Sequence, residues 1–173
     1  MFKKLAAEAL GISDIGVIVP ASEFDKVDAD DYLFHEDGER IFFLIKSKKD
    51  EYCFTNQALI HVDGESAVST KRTVKRYEYA SHRIGYCAIE TAGNMDMDVE
   101  LKFSIGEAHF SIDVKKSFIE QVKDIYKALI AIGRQQARDA VGRDNAIRTL
   151  DAMGGMLKLG NLQGEAAVVA HFN

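Results

Sequence analysis

The run Met95-Asp96-Met97-Asp98-Val99-Glu100-Leu101-Lys102-Phe103-Ser104-Ile105 decides the fold of this chain. Six apolar residues alternate without a break with five polar ones. Successive side chains of a strand point to opposite faces, so the pattern predicts one long strand with a buried and a wet face. Gly106 turns the chain, and Ala108, Phe110, Ile112 and Val114 repeat the alternation. The two runs read as an antiparallel hairpin whose apolar faces share one core.

The same reading extends toward the N-terminus. Ile84 to Thr91 and Lys71 to Tyr79 are rich in β-branched and aromatic residues. Ala58 to Val62, Glu51 to Thr55 and Ile41 to Lys46 are three further strands. Ser47-Lys48-Lys49-Asp50 is a polar turn between two of them, and Asp63-Gly64 is a turn signal after the third. Six or seven strands thus follow one another with no helical crossover, which excludes a parallel βαβ fold. An antiparallel sheet, bent to hide its edges, is the physical solution.

Toward the C-terminus the period changes. Residues 115 to 160 read as helical, with Ser117-x-x-Glu120 in the form of a capping box or Asp113 as an earlier cap. Phe118, Val122, Ile125, Leu129 and Ile132 make one apolar stripe. Gly133 weakens the pattern, and Asp144 is placed to cap a second helix carrying Ile147, Leu150, Met153 and Leu157. Gly154-Gly155 weakens that helix and Gly160 is expected to end it, leaving the tail from Asn161 unassigned. At the other end, Phe2, Leu5, Ala6, Ala9 and Leu10 suggest a short helix stopped by Gly11. A short apolar run, Ile15 to Val19, follows; then Glu23 to Arg40 carries eight acids and two bases. Three parts are expected: an N-terminal helix and acidic lead-in over 1–37, a β domain over 38–132, and a helical extension over 133–173 that serves oligomerisation.

Composition narrows the function classes. The 173 residues are 47% apolar and 28% charged, with a net charge of -5, as in ordinary soluble globular proteins. The acidic balance argues against nucleic acid as a partner. No apolar run approaches the roughly 18 residues of a membrane span. Met1-Phe2-Lys3-Lys4 superficially resembles the start of a signal peptide, but Glu8 interrupts the short apolar stretch behind it, so none is expected. Cys53 and Cys87 sit in strand-like runs and give neither a disulfide framework nor metal-ligand spacing. A reducing, cytoplasmic location is the expectation.

No catalytic motif is present. There is no G-x-S-x-G elbow and no glycine-rich phosphate loop. None of His35, His61, His82, His109 and His171 falls into a zinc-type pattern, and alternation places His61 and His109 on outward-facing strand positions. Asp96, Asp98 and Glu100 share one strand face, which the wet side of an amphipathic strand explains without calcium or catalysis. No catalytic residue, metal or cofactor is expected. The basic stretch is more informative: Lys71, Arg72, Lys75, Arg76 and Arg83 lie within thirteen residues that hold one acid, Glu78. It suits an anionic surface, the solvated side of an edge strand, or the acidic lead-in of a second copy.

Together these runs resemble the bacterial pleckstrin-homology-like family over residues 38 to 130. The resemblance rests on the apolar first strand, on Tyr52-Cys53-Phe54-Thr55-Asn56 leading into Ala58-Leu59-Ile60-His61-Val62-Asp63, and on the basic strand ending in Tyr77. Ile89-Glu90-Thr91-Ala92-Gly93 before Met97-Asp98-Val99-Glu100-Leu101 is its most specific part. It implies a mainly β fold: a seven-stranded, strongly bent antiparallel sheet or partial barrel, closed by one amphipathic helix. It also implies homo-oligomers, rings among them. The first hairpin offers Lys46, Lys48 and Lys49 with no Arg, and the chain has no Trp, so it departs from the phosphoinositide-binding relatives. The expected function is a non-enzymatic binding and assembly module that self-associates or holds other proteins. Ile147, Leu150, Met153 and Leu157 are the candidate assembly residues. Membrane contact through the basic strand is the alternative, expected to be weak.

Overall fold

A computed structural model describes residues 14–64, 72–91 and 98–171, with side chains through residue 158. The short helix expected over residues 1 to 10, Lys71, and the first residues of the Met95–Ile105 run lie outside them. Two compact units divide the chain, Met1–Arg134 and Gln135–Asn173.

The first unit holds eight strands among the described residues. In chain order they are β1 (Val17–Ile18), β2 (Ile41–Lys46), β3 (Asp50–Thr55), β4 (Ala58–Gly64), β5 (Arg72–Glu78), β6 (Ile84–Glu90), β7 (Asp98–Ile105) and β8 (Ala108–Lys115). Each pairs antiparallel with the next, but in two sheets: β1-β2-β3-β4-β5 and β6-β7-β8. The alternating run forms the centre of the smaller sheet, with Leu101 opposite both Ile89 and Ile112. The expected single sheet of seven strands is therefore corrected to two sheets, which do not close into a barrel. One extra strand comes from the apolar run at Ile15 to Val19, whose Val17 and Ile18 pair with Lys46 and Ile45. Among the described residues the backbones of the two sheets meet at a seam, an isolated parallel bridge between Gly16 and Val114. Gly16 donates to Asp113 O at 2.7 Å and accepts from Lys115 N at 2.9 Å. A Cβ at this position would fall 2.7 Å from Ile45 Cγ2, so only glycine lets the seam close.

The two sheets enclose the main core. Ile45, Phe54 and Leu59 from the larger sheet meet Leu101, Phe103 and Ile105 from the smaller. A 3-10 turn, Lys116–Phe118, leads into the helix α1, Ile119–His171. The turn's cap residue, Lys115, makes no side-chain capping bond, so Ser117 lies inside the entry turn and the expected capping box is not its start. The predicted stripe is the face that packs: Val122, Ile125 and Leu129 are fully buried against the core, and Phe118 and Ile132 are partly buried beside it. Burial of such a face, rather than propensity, is what stabilises a helix in a protein.

Two helices were the expectation after residue 115, and the structure has one. Gly133 costs a helix about 1 kcal/mol relative to Ala, which lowers its stability without breaking it. A Cβ there would sit 3.4 Å from the Ile84 carbonyl oxygen, an ordinary contact distance, so α1 passes beside β6 with room for a small side chain at this position. Gly160 does not end the helix, which continues to His171.

The acidic lead-in folds as three short 3-10 turns, Ala21–Lys26, Asp28–Tyr32 and His35–Asp37. Val19, Val27, Ala29 and Leu33 from this segment cover Leu44, Cys53, Ile60 and Val62 on the outer face of the larger sheet. That sheet is thus buried on both faces. Ala29 N donates to Glu51 Oε2 at 2.9 Å, and Lys46 pairs with the same carboxylate, which pins the lead-in to the strands beneath it.

Candidate functional site

β5 carries Arg72, Lys75 and Arg76 of the basic residues singled out in the sequence, and the structure brings these three to acids of the same chain. Arg76 lies across from Ile60 and reaches Glu39 with Nη1 at 3.1 Å and Nη2 at 3.0 Å. Its guanidinium also pairs with Glu78 and lies 4.9 Å from the Phe34 ring centroid. Glu39 is buried and accepts two further bonds, from Thr55 Oγ1 at 2.6 Å and Phe34 N at 2.9 Å. Burial pushes the Glu39 carboxyl up, but Arg76, Phe34 N and Thr55 outweigh it and hold the group below its ordinary value. Arg72 Nε stands 3.7 Å from Asp28 Oδ2, and Lys75 Nζ 3.3 Å from Asp63 Oδ2. Arg83 is exposed, and Lys71 is outside the described residues. The opposite charges recognised in the sequence as an intermolecular possibility meet within one chain.

The other candidate residues lie in the second unit. Ile147, Leu150, Met153, Met156 and Leu157 are between 56% and 73% exposed. Helical geometry places Ala146, Leu150, Met153 and Leu157, spaced i, i+4, i+7 and i+11, along one seam. The segment 135–158 carries Arg138, Arg143, Arg148 and Lys158 against Asp139, Asp144 and Asp151, so its charge is nearly balanced.

One constellation was not read from the sequence. His61, expected to face water, is buried in the larger sheet. Its ring stacks on Tyr52 at 4.5 Å and meets Phe110 edge-on at 5.7 Å. Its Nε2 stands 3.1 Å from Asp50 Oδ1. In the β3–β4 ladder Asp50 is directly opposite Asp63, and Tyr52 is opposite His61. One ligand atom from each of Asp50, His61 and Asp63 lies within 4.8 Å of the others. Burial, with Asp50 and Asp63 beside it, raises the Tyr52 hydroxyl well above its ordinary value. Counting the hairpin register across Asn56-Gln57 was the signal that would have found this group. His109 is exposed, as the alternation predicts.

Two cavities lie among the described residues of the β domain. An apolar one of about 370 Å³ opens between α1 and the larger sheet, with Phe42, Phe54, Ile125 and Ile132 on its walls. A polar one of about 310 Å³ is walled by Glu90, Thr91, Asp98, Glu100 and Asp113. Lys102 bonds Glu90 at 2.8 Å and Glu100 at 3.0 Å beside it.

The geometry so far is a pair of packed antiparallel sheets capped by a C-terminal amphipathic helix. The family described as bacterial PH domain matches residues 9–132, well over half of the chain. This chain belongs to the bacterial PH domain family. A protein of Bacillus subtilis strain 168, the uncharacterized protein YvbH, is 56% identical over 151 residues, which cover 87% of this chain and 74% of the relative. A second protein of the same strain, the uncharacterized protein YjqA, is 35% identical over 98 residues, 56% of this chain and 76% of that one. Among solved structures, a PH-domain-containing protein of Exiguobacterium sibiricum 255-15 is 52% identical, with a TM-score of 0.74 over 79% of this chain and 72% of its own. A pleckstrin-homology protein of the DUF1696 family from Shewanella loihica PV-4 is 25% identical, with a TM-score of 0.53 over 69% of this chain and 97% of its own. None of these descriptions names an enzymatic activity. In this bacterial PH domain protein no helix among the described residues is long and apolar enough to cross a membrane.

Proposed function

We propose that this bacterial PH domain protein is a non-enzymatic binding and assembly module that self-associates through the second part of α1. The observation that carries the reading is the exposure of Leu150, Met153 and Leu157 along one seam of that helix, with the exposed Ile147 and Met156 flanking it on either side. Fully burying one such side chain is worth about 1.5–3 kcal/mol, and isolated helices gain little stability in water from propensity alone. A second copy of the same segment offers the same seam. Four bases against three acids over 135–158 leave two copies with little mutual repulsion. In this reading residues 133–173 are the assembly segment and the packed sheets are a rigid mount. The basic strand does not favour a lipid reading, because Arg72, Lys75 and Arg76 each face an acid of their own chain.

Light scattering coupled to size exclusion tests the proposal. The full chain is expected to be a homo-oligomer, and a Leu150→Glu/Met153→Glu variant to have fewer subunits with unchanged β-sheet circular dichroism. A monomeric full chain removes the proposal. An oligomer untouched by the double variant transfers the interface to the β domain.

A further inference from the structure

We propose that Asp50, His61 and Asp63 form a binding site for a divalent first-row transition ion of the Zn²⁺ or Mn²⁺ type. The ligand set is two carboxylates and one imidazole, the mixed oxygen and nitrogen donors such ions take. Metal bonds of about 2.0–2.2 Å place neighbouring ligand atoms roughly 3 Å apart. The separation of 3.1 Å between His61 Nε2 and Asp50 Oδ1 already has that value. Asp63, on the strand alongside, keeps its carboxylate within 4.8 Å of both.

Three features of the surroundings support the assignment. First, Asp50 and Asp63 are direct cross-strand partners, an arrangement in which like charges oppose each other. The lysine beside them, Lys75, pairs with Asp63, while Asp50 meets the His61 ring. Second, the His61 ring is held by Tyr52 on its face and Phe110 at its edge, so Nε2 is aimed at the carboxylates before any ion arrives. Pre-oriented imidazoles of this kind are what metal centres require. Third, Lys75 contacts Asp63 at 3.3 Å through an exposed ion pair, and exposed pairs are weak. A divalent ion displaces such an ammonium at little cost. The Asp50 and Asp63 side chains are partly open to solvent, which leaves room for water as the remaining ligands.

The test titrates the full-length chain, stripped with a chelator, with ZnCl₂ and separately with MnCl₂ by calorimetry. One ion per chain is expected for at least one of the two metals. Asp50→Asn and Asp63→Asn, which keep shape and remove charge, should each lose the binding. Should one of them fail to fold by circular dichroism, the other decides. His109→Ala and Glu100→Gln, at exposed sites elsewhere, should retain it. Lys75→Met should bind more tightly, by about two- to fivefold, the range for releasing an exposed ion pair. No binding by the parent chain at millimolar metal, binding retained by the aspartate variants, or unchanged affinity in Lys75→Met would each overturn the assignment.

Discussion

Arg76 holds Glu39 across 37 residues of sequence, with both terminal nitrogens of its guanidinium on the two oxygens of a buried carboxylate. The contact ties the edge strand β5 to the acidic lead-in. Removing one partner of a buried pair leaves a charge without compensation, which typically costs about 3–5 kcal/mol. Arg76 keeps some solvent contact, so the lower end of that range is expected for Arg76→Ala in urea unfolding. Arg72→Ala, which loses a long surface contact to Asp28, should stay within about 0.5 kcal/mol.

The same pair predicts a pH dependence. The Glu39 carboxyl is held below its ordinary 4.5 in the folded state. The unfolded chain therefore binds a proton first as the pH falls, and stability drops. The Glu39 contribution is fully present above about pH 4.5 and is lost below it, as the pH falls through the folded-state value. Urea midpoints measured between pH 6 and pH 3 should fall, and Glu39→Gln should flatten that slope. A slope unchanged by the substitution would assign the acid sensitivity to other carboxylates.

Leu101 is fully buried at the centre of the smaller sheet. Leu101→Ala should cost about 2–5 kcal/mol, the range for a core leucine. Asp98→Ala, on the wet face of the same strand beside Glu100 and Asp113, should cost little. Paired urea melts check the order of the two.

Thiol chemistry should separate the cysteines. Burial, with the nearby Glu39 and Glu51 carboxylates, pushes the Cys53 thiol up to about 12, and burial alone pushes Cys87 to about 11. The thiolate is the reactive form. At pH 8 a thiol-specific disulfide reagent should modify Cys87 slowly and Cys53 more slowly still. Denaturant should bring both to the rate of a free thiol.

Anionic vesicles should not retain the protein at physiological salt. The net charge is -5, and Arg72, Lys75 and Arg76 each face an acid of the chain. Screening limits attraction to roughly 10 Å at 0.1 M salt. Co-sedimentation that disappears in an Arg72→Ala/Lys75→Ala variant would return the strand to a surface role.

The hairpins and the helix stripe were legible because each is a local pattern with its own period. Leu101 and Phe103 alternate, and Val122, Ile125 and Leu129 recur at helical spacing. What escaped was non-local. Val19, Val27, Ala29 and Leu33 are scattered among acids, and 3-10 turns impose no period that would mark them as a covering layer. Without that layer, alternation puts Ile60 and Val62 on the core face and His61 on a wet one. In fact Ala58 through Val62 is buried at every position, the continuous apolar run of a strand covered on both sides. The run was visible, and its one polar member was the residue most worth placing. The Asp50–Asp63 and Arg76–Glu39 contacts depend on register and topology, which alternation alone does not supply.

The bridge between Gly16 and Val114 sets an order of assembly. Gly16 directly precedes β1 and Val114 lies on β8, so closing the bridge encloses nearly the whole domain in one loop. The hairpins β2–β3, β3–β4, β6–β7 and β7–β8 close short loops and repay that entropy at once. During synthesis the first strand can pair with β2 early, but it must wait for β8, and for the start of α1 behind it, before the two sheets are joined. A nascent chain that has not yet reached β7 holds a five-stranded sheet whose Ile45, Phe54 and Leu59 lack Leu101, Phe103 and Ile105, the side chains they pack against in the finished fold, so this stretch of translation is the interval in which apolar surface is most exposed.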